Sequence, residues 1–394
     1  MIDRIKELSN EYTKDCAQFL RDMIAIPSTS CNEKEVVQRI KQEMEKIGYD
    51  EVIIDPMGNI LGRIGTGKRI IAFDAHVDTV DVGDPSLWKV DPFKGKLENG
   101  IIYGRGASDM EGGMAAMTYA GKILKQTGIP DDVTVYVVGS IQEEDCDGLC
   151  WQYIVNEDKI RPDLVVITEP TNLNIYRGHR GRMEFEVETK GVSCHGSAPE
   201  RGVNAVYHMA DIVKEVEELN ERLHVDDFLG KGTITISHIR STAPSLCSVA
   251  DSCTIHLDRR LTAGETDQSA LDEIRNLPSF KKHNADVRIL EYDTPSYTGL
   301  SYPTRKYYPT WHFEENHFSV RSSIKAYQKV FNKEPHVDKW TFSTNGVATA
   351  GMYGIPTVGF GPANEIYAHS PDDQCPVDDL TKAMMFYAAL VWEF

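Results

Sequence analysis

Residues 69–79 read RIIAFDAHVDT, a short apolar run that closes on an aspartate, a histidine and a second aspartate. Apolar residues without interruption from Ile70 to Phe73 suit a strand buried on both faces. Two later runs share this form and this kind of ending. Val133, Val135, Val137 and Val138 build one that leads into Gln142-Glu143-Glu144-Asp145, and Leu164 to Ile167 leads into Thr168-Glu169-Pro170. Between the first two runs, Met114 to Lys125 has helical spacing and is entered through the glycine-rich loop Gly104–Gly113, which carries Asp109. Upstream, Glu35 to Ile47 is a second helical pattern that stops at Gly48, and Met1 to Asp22 reads as an amphipathic opening helix. Strands alternating with helices in this way predict an α/β sheet covered on both faces.

The pattern changes near Gly178. Arg182 to Lys190 alternates apolar and polar residues, as a sheet with one open face requires. A helix over Asn204–Leu223, strands over Gly232–Ile239 and Asp251–Leu257, a helix over Thr266–Leu277 and a strand over Asp286–Glu291 follow. That strand-helix-strand-strand-helix-strand order predicts a ferredoxin-like insert of about 115 residues. Residues 292–317, rich in Tyr, Pro and Thr, read as a linker. Helical spacing returns at Ser319–Phe331, strand character at Pro356–Phe360, and a last helix at Asp378 to about Trp392.

Composition narrows the function. The 394 residues carry 42 Lys and Arg against 60 Asp and Glu, a net charge of −18. Such a surface repels phosphate backbones and anionic lipid, and Lys281-Lys282-His283 is too short a basic patch to reverse this, so neither nucleic acid nor membrane is an expected partner. No apolar run approaches the roughly 20 residues that span a bilayer, and the charged N-terminus lacks a secretory pattern. The eight cysteines are scattered. Cys146 and Cys150, the one close pair, read as reduced thiols, and a cytoplasmic location is expected.

The chemistry lies in the strand endings. Residues two apart in extended chain face the same side, so His76 and Asp78 point one way, as a ligand and its orienting carboxylate would. Singly, each feature has an ordinary reading: a capped turn, a solvated acidic face, or a phosphate cradle. The glycine loop, however, has no lysine in the Walker position and does not fit dinucleotide spacing. Acids and histidines gathered at buried strand ends are costly without a cation to compensate them. Imidazole and carboxylate without thiolate suit zinc, cobalt or manganese.

In this combination the chain resembles the di-zinc family of aminoacylases, acetylornithine deacetylases, succinyl-diaminopimelate desuccinylases and carboxypeptidase G-type metallopeptidases, with hydrolases linked to selenium metabolism looking nearest. The resemblance runs, in order, through Ile26-Pro27-Ser28, His76 and Asp78, the Asp109 loop, Glu143-Glu144, Glu169-Pro170, the insert and Tyr367-Ala368-His369. It implies an α/β, mixed-sheet, zinc-exopeptidase-like catalytic domain over residues 1–178 and 296–394. A ferredoxin-like α+β lid and dimerisation domain would occupy 179–295.

The same resemblance implies two divalent ions, Zn2+ foremost with Co2+ or Mn2+ as alternatives. His76, Asp109 and Glu169 would hold one, and Asp109, Glu144 and His369 the other. Asp78 would keep His76 in its ligating tautomer. Glu143 would be the general base, taking a proton from a metal-bridging water whose pKa is drawn towards ~7 and passing it to the leaving nitrogen. His195 would stabilise the tetrahedral intermediate, often from the partner subunit; the alternative is a cap for the helix at Asn204. Arg260, with Arg259 beside it, would bind a substrate carboxylate.

Two segments that line the family's substrate pocket depart from its pattern. Relatives often carry Asn and Pro where this chain has Cys247–Ala250. They often carry a Gly-Thr-Asp-type turn where it has Phe342–Gly346, which makes Asn345 a candidate substrate contact. The implied activity is hydrolysis of an N-acyl, N-carbamoyl or peptide bond in a small carboxylate-bearing substrate, such as an N-acyl amino acid or dipeptide. The alternatives are an aminopeptidase with the same metals, and a catalytically silent dimeric binding protein. A homodimer through the lid is implied, with the strand following Ser241–Pro244 pairing edge to edge with a second copy.

Overall fold

The computed structural model describes residues 1–394, which divide into two compact units. The first comprises Met1–Gly178, Asp293–Tyr302 and His312–Phe394; the second comprises His179–Tyr292 and Pro303–Trp311. In chain order the first unit sets down α1 (Ile2–Ile24), α2 (Lys34–Ile47), β1 (Glu51–Ile54), β2 (Ile60–Ile64), β3 (Arg69–His76) and α3 (Glu111–Thr127). Then come β4 (Val133–Ser140), α4 (Leu149–Asn156), β5 (Leu164–Ile167) and β6 (Ile175–Tyr176). The second unit holds β7 (Gly181–Lys190), α5 (Ala205–Glu221), β8 (Thr233–Thr242), β9 (Ser252–Leu261), α6 (Asp267–Arg275), β10 (Asp286–Ile289) and β11 (Tyr307–Tyr308). The chain returns to the first through α7 (Phe318–Phe331), β12 (Val337–Asp338), β13 (Thr357–Gly359) and α8 (Val377–Leu390).

The first unit is built on an eight-stranded mixed sheet in the order β1-β2-β4-β3-β5-β13-β6-β12. Its centre, β4-β3-β5-β13, is parallel, while β1, β2 and β4 pair antiparallel at one side. Every residue of β5 is buried, as are the last six of β3, which requires cover on both faces. Helices α1, α3 and α8 pack against one another. No helix is long and apolar enough to cross a membrane.

The second unit is an antiparallel sheet in the order β8-β9-β7-β10, with β11 also paired to β7. First and third strands lie at the centre, the ferredoxin-like arrangement. Met183, Phe185, Val187, Ile255 and Leu257 join Ile212 and Val216 of α5 and Ile274 of α6 in one core. Two sequence expectations are corrected here. Residues 303–311, read within the linker and the returning catalytic segment, belong to the second unit because Tyr307 and Tyr308 pair with Met183 and Arg182. The strand following Ser241–Pro244 is β9, enclosed between β8 and β7, so it has no edge to offer a second copy; the edge strands are β8 and β10.

Candidate metal centre

The four central parallel strands end side by side, and in such sheets ligands gather beyond the carboxyl ends of the strands. His76 is the last residue of β3, Glu143 and Glu144 follow β4, Glu169 follows β5, and His369 lies in the segment after β13. Asp109 sits in the loop just before α3. The β13 exit passes close to the β5 exit only because residue 361 is glycine: a Cβ there would meet the Glu169 carbonyl oxygen at 2.1 Å.

Asp109 faces both imidazoles, one with each carboxylate oxygen. His76 Nε2 lies 3.0 Å from Asp109 Oδ1, and His369 Nε2 lies 3.3 Å from Asp109 Oδ2. On the His76 side, Glu169 Oε1 is 3.4 Å and Glu143 Oε2 3.9 Å from the same Nε2. On the other side, Glu144 Oε2 is 3.0 Å from His369 Nε2. His76, Asp109, Glu143 and Glu169 are buried, whereas the His369 side chain is 54% exposed, so the centre opens to solvent on that side. His369 itself holds φ at 55°, a left-handed conformation uncommon for residues with a Cβ.

The electrostatics describe a pocket short of positive charge. Burial lifts Glu143 well above the usual carboxylate range, and burial with the neighbouring Asp109 pushes Glu169 up to about 8. Burial raises Glu144 as well, again with Asp109 adding to it. Hydrogen bonds to Asp109 and Glu144 push His369 up to about 10. Burial alone would lower His76, but the charge of Glu169 and the bond to Asp109 outweigh it. Asp109, which burial would raise, is held below its usual range by His369 and His76. Positive charge of any kind relieves these carboxylates, and divalent cations can supply it.

Donor chemistry tests whether metal fits. Glu143 Oε1 and Glu169 Oε2 are buried without a hydrogen-bond partner, a costly condition unless something positive meets them. His76, Glu143 and Glu169 offer ligand atoms within 4.8 Å of one another, and so do His76, Asp109 and Glu144. All the donors are imidazole nitrogen or carboxylate oxygen, so the residues fit a pair of borderline or hard divalent ions.

Asp78 plays a different part from the one its spacing suggested. His76 Nδ1 donates to the Asp78 main-chain carbonyl at 2.8 Å, while the Asp78 carboxylate is 3.7 Å away. The tautomer is fixed by the peptide. The carboxylate instead accepts the N–H groups of Glu143 and Glu144, both at 3.1 Å, and the Ser30 hydroxyl at 2.7 Å. Asp373, which sequence reasoning missed, performs the same service for the Asp109 loop. It accepts Gly106 N and Ser108 N, each at 2.8 Å, and pairs with Arg105. Its place four residues after His369 was the available signal.

Asn345 is corrected from a substrate contact to a buried brace. Its Nδ2 donates to Asp74 and Ser140, and its Oδ1 accepts Gly148 N and the Cys150 thiol, which leaves the amide nothing to offer a ligand. In the second unit, Arg259 is buried against Glu265 and Glu273, whereas Arg260 lies on the open face of the sheet paired with Asp258. Arg180, also missed, has its pKa lowered by burial and then by the positive charge of Arg260, so the two guanidiniums share one region. His195 does not cap α5; Asn204 does, through its own side chain. His195 is exposed, and its Nδ1 accepts Ser197 N at 3.1 Å, which leaves Nε2 as the ring's N–H donor.

The model of peptidase family M20/M25/M40 matches residues 72–393. The chain is 56% identical over 386 residues to the Escherichia coli (strain K12) protein YgeY, covering 98% of this chain and 96% of that one. It is 31% identical over 216 residues to an acetylornithine deacetylase of Buchnera aphidicola subsp. Schizaphis graminum, covering 53% and 55%. Among solved structures it resembles aminopeptidase PepT from Bacillus cereus ATCC 10987, with a TM-score of 0.74 at 20% identity over 97% of this chain and 98% of that one.

Proposed function

The chain belongs to peptidase family M20/M25/M40, metallo-hydrolases of amide bonds, and on that footing we propose that it cleaves an N-acyl, N-carbamoyl or peptide bond in a small carboxylate-bearing substrate. His76, Asp109 and Glu169 would hold one divalent ion, and Asp109, Glu144 and His369 the other, with Zn2+ the first choice and Co2+ or Mn2+ alternatives. When bound, such ions lower the pKa of water and polarise a carbonyl. The observation that carries this reading is the two-sided Asp109 carboxylate, with an imidazole at each oxygen.

The protein's own residues divide the remaining work. Glu143 stands 3.9 Å from His76 Nε2 with its other oxygen unpartnered, placed to take a proton from water and give it to the leaving nitrogen. His195, exposed and with Nδ1 taken by Ser197 N, has an Nε2–H suited to an oxyanion as it develops. Arg260, supported by Arg180, suits the substrate carboxylate, which would have to compete with Asp258 for it. A homodimer through the second unit belongs to the same proposal.

A panel of N-acetyl and N-carbamoyl amino acids, dipeptides and aminoacyl-nitroanilides tests the substrate class. Turnover of carboxylate-bearing amides that is lost on Arg260→Ala through KM is expected. Turnover confined to the nitroanilides would replace the reading with an aminopeptidase, and no turnover by metal-loaded protein would overturn it.

A further inference from the structure

Strand β4 ends at Ser140, and the four backbone N–H groups that follow are each taken by a side-chain oxygen. Ile141 N donates to Asn59 Oδ1, Gln142 N to Glu33 Oε1, Glu143 N to Asp78 Oδ1 and Glu144 N to Asp78 Oδ2, every one at 3.1 Å. Asn59, Glu33 and Asp78 are all 0% exposed, so bulk solvent does not compete for these bonds. The acceptors are themselves braced. Asn59 donates its side-chain and main-chain N–H to Asp55, and Glu33 Oε1 also accepts Cys31 N at 3.0 Å.

Gln142 needs this hold. Its φ is 56°, a left-handed conformation that costs a residue with a Cβ unless its surroundings impose it. The turn there carries the chain from the direction of β4 into the one that lays the next two N–H groups on Asp78. Asp78 alone secures Glu143 and Glu144 after the turn, and Glu33 secures the turn itself. The side chains so aimed are a proton acceptor and a metal ligand on adjacent residues.

We propose that Glu33 is a positioning residue of the hydrolytic centre, acting through the Gln142 peptide to set where the Glu143 and Glu144 carboxylates point. The proposal rests on the reading of Glu143 as base and Glu144 as ligand. A carboxylate serving stability alone would be replaceable without effect on turnover by folded protein. A positioning acceptor is replaceable only by another acceptor of the same reach.

Two substitutions of similar volume separate these roles. Glu33→Gln keeps an acceptor oxygen, and Glu33→Met fills the space without one. The full chain is stripped with chelator, titrated with Co2+ alone while its visible absorption is followed, and then assayed on the best substrate of the panel above. Glu33→Gln is expected to match wild type in spectrum and, within about threefold, in kcat; folded Glu33→Met should show a changed Co2+ spectrum and a kcat about 100-fold lower, with KM within about threefold. Glu43→Met, which removes a buried carboxylate held by Arg39, Lys46 and Tyr119, calibrates a loss of stability without loss of kcat.

Folded Glu33→Met with the spectrum and kcat of Glu33→Gln overturns the proposal. Should Glu33→Met not fold, Asn59→Leu against Asn59→Asp makes the same comparison one peptide upstream, with the same outcomes decisive. Wild type that takes up no Co2+, or Glu143→Gln with undiminished kcat, would instead strike the underlying reading, whatever Glu33 does.

Discussion

Asp109 presents one carboxylate oxygen to each imidazole, His76 at 3.0 Å and His369 at 3.3 Å, and Asp373 fixes the loop on either side of Ala107. Replacing Glu143 with Gln should leave metal content unchanged and lower kcat about 10³-fold, since an amide cannot accept the proton; elemental analysis with single-turnover kinetics checks it. Asp373→Asn removes the charge that faces Arg105 and one strong acceptor of the loop. Metal affinity in that variant should fall about 10- to 100-fold, measured by competition with a chelating dye. At this scale the sequence revealed residue types at strand tips, because acids and imidazoles beside buried apolar runs are chemically conspicuous. It did not reveal hydrogen-bond partners. Whether the carboxylate or the carbonyl of Asp78 meets His76 is decided by a turn of the main chain, and no residue identity announces it. Asn345 misled for the same reason, since a polar residue in an irregular segment looks available until its partners are known.

Among the elements, the tight approaches matter most. Helix α3 begins at Glu111, three residues before the helical spacing becomes visible, because Gly112 and Gly113 resemble loop residues in sequence. They are helical glycines required by contact: a Cβ on Gly113 would stand 2.3 Å from Thr168 Oγ1, and one on Gly112 would stand 2.6 Å from the Ala107 carbonyl. Strands were easier to read, since a short segment as rich in valine as residues 133–138 has few other uses than a buried sheet. Gly361 tests the element scale directly. Gly361→Ala forces the β13 exit away from Glu169 and should cost roughly 1–3 kcal/mol in stability by overpacking, read as a lowered denaturation midpoint. Metal affinity should fall with it, because Glu169 shares the displaced backbone.

For the whole molecule, the two-unit division follows from the change of hydrophobic period near Gly178, from continuous runs to alternation. Residues 303–311 escaped that reading because β11 is only two residues long, too short for any period to register. A buried acid and a half-buried one outside the ligand set give the metal-free chain a pH dependence of definite sign. Burial and the charge of Asp78 push Glu33 up to about 8, and burial and Asp55 push Asp158 up to about 7. Unfolded, both titrate near the ordinary carboxylate value, so the folded chain holds protons that the unfolded chain has released. Their stabilising contribution is complete below about pH 4 and is lost as pH rises through 7 and 8, so chelated protein should melt higher at about pH 6 than at about pH 8.5. The central claim concerns the cations themselves, and anomalous diffraction from crystals of metal-loaded protein tests it most directly. Two peaks are predicted, one among His76, Asp109 and Glu169 and one among Asp109, Glu144 and His369; a single peak away from Asp109, or none at full loading, would contradict the account.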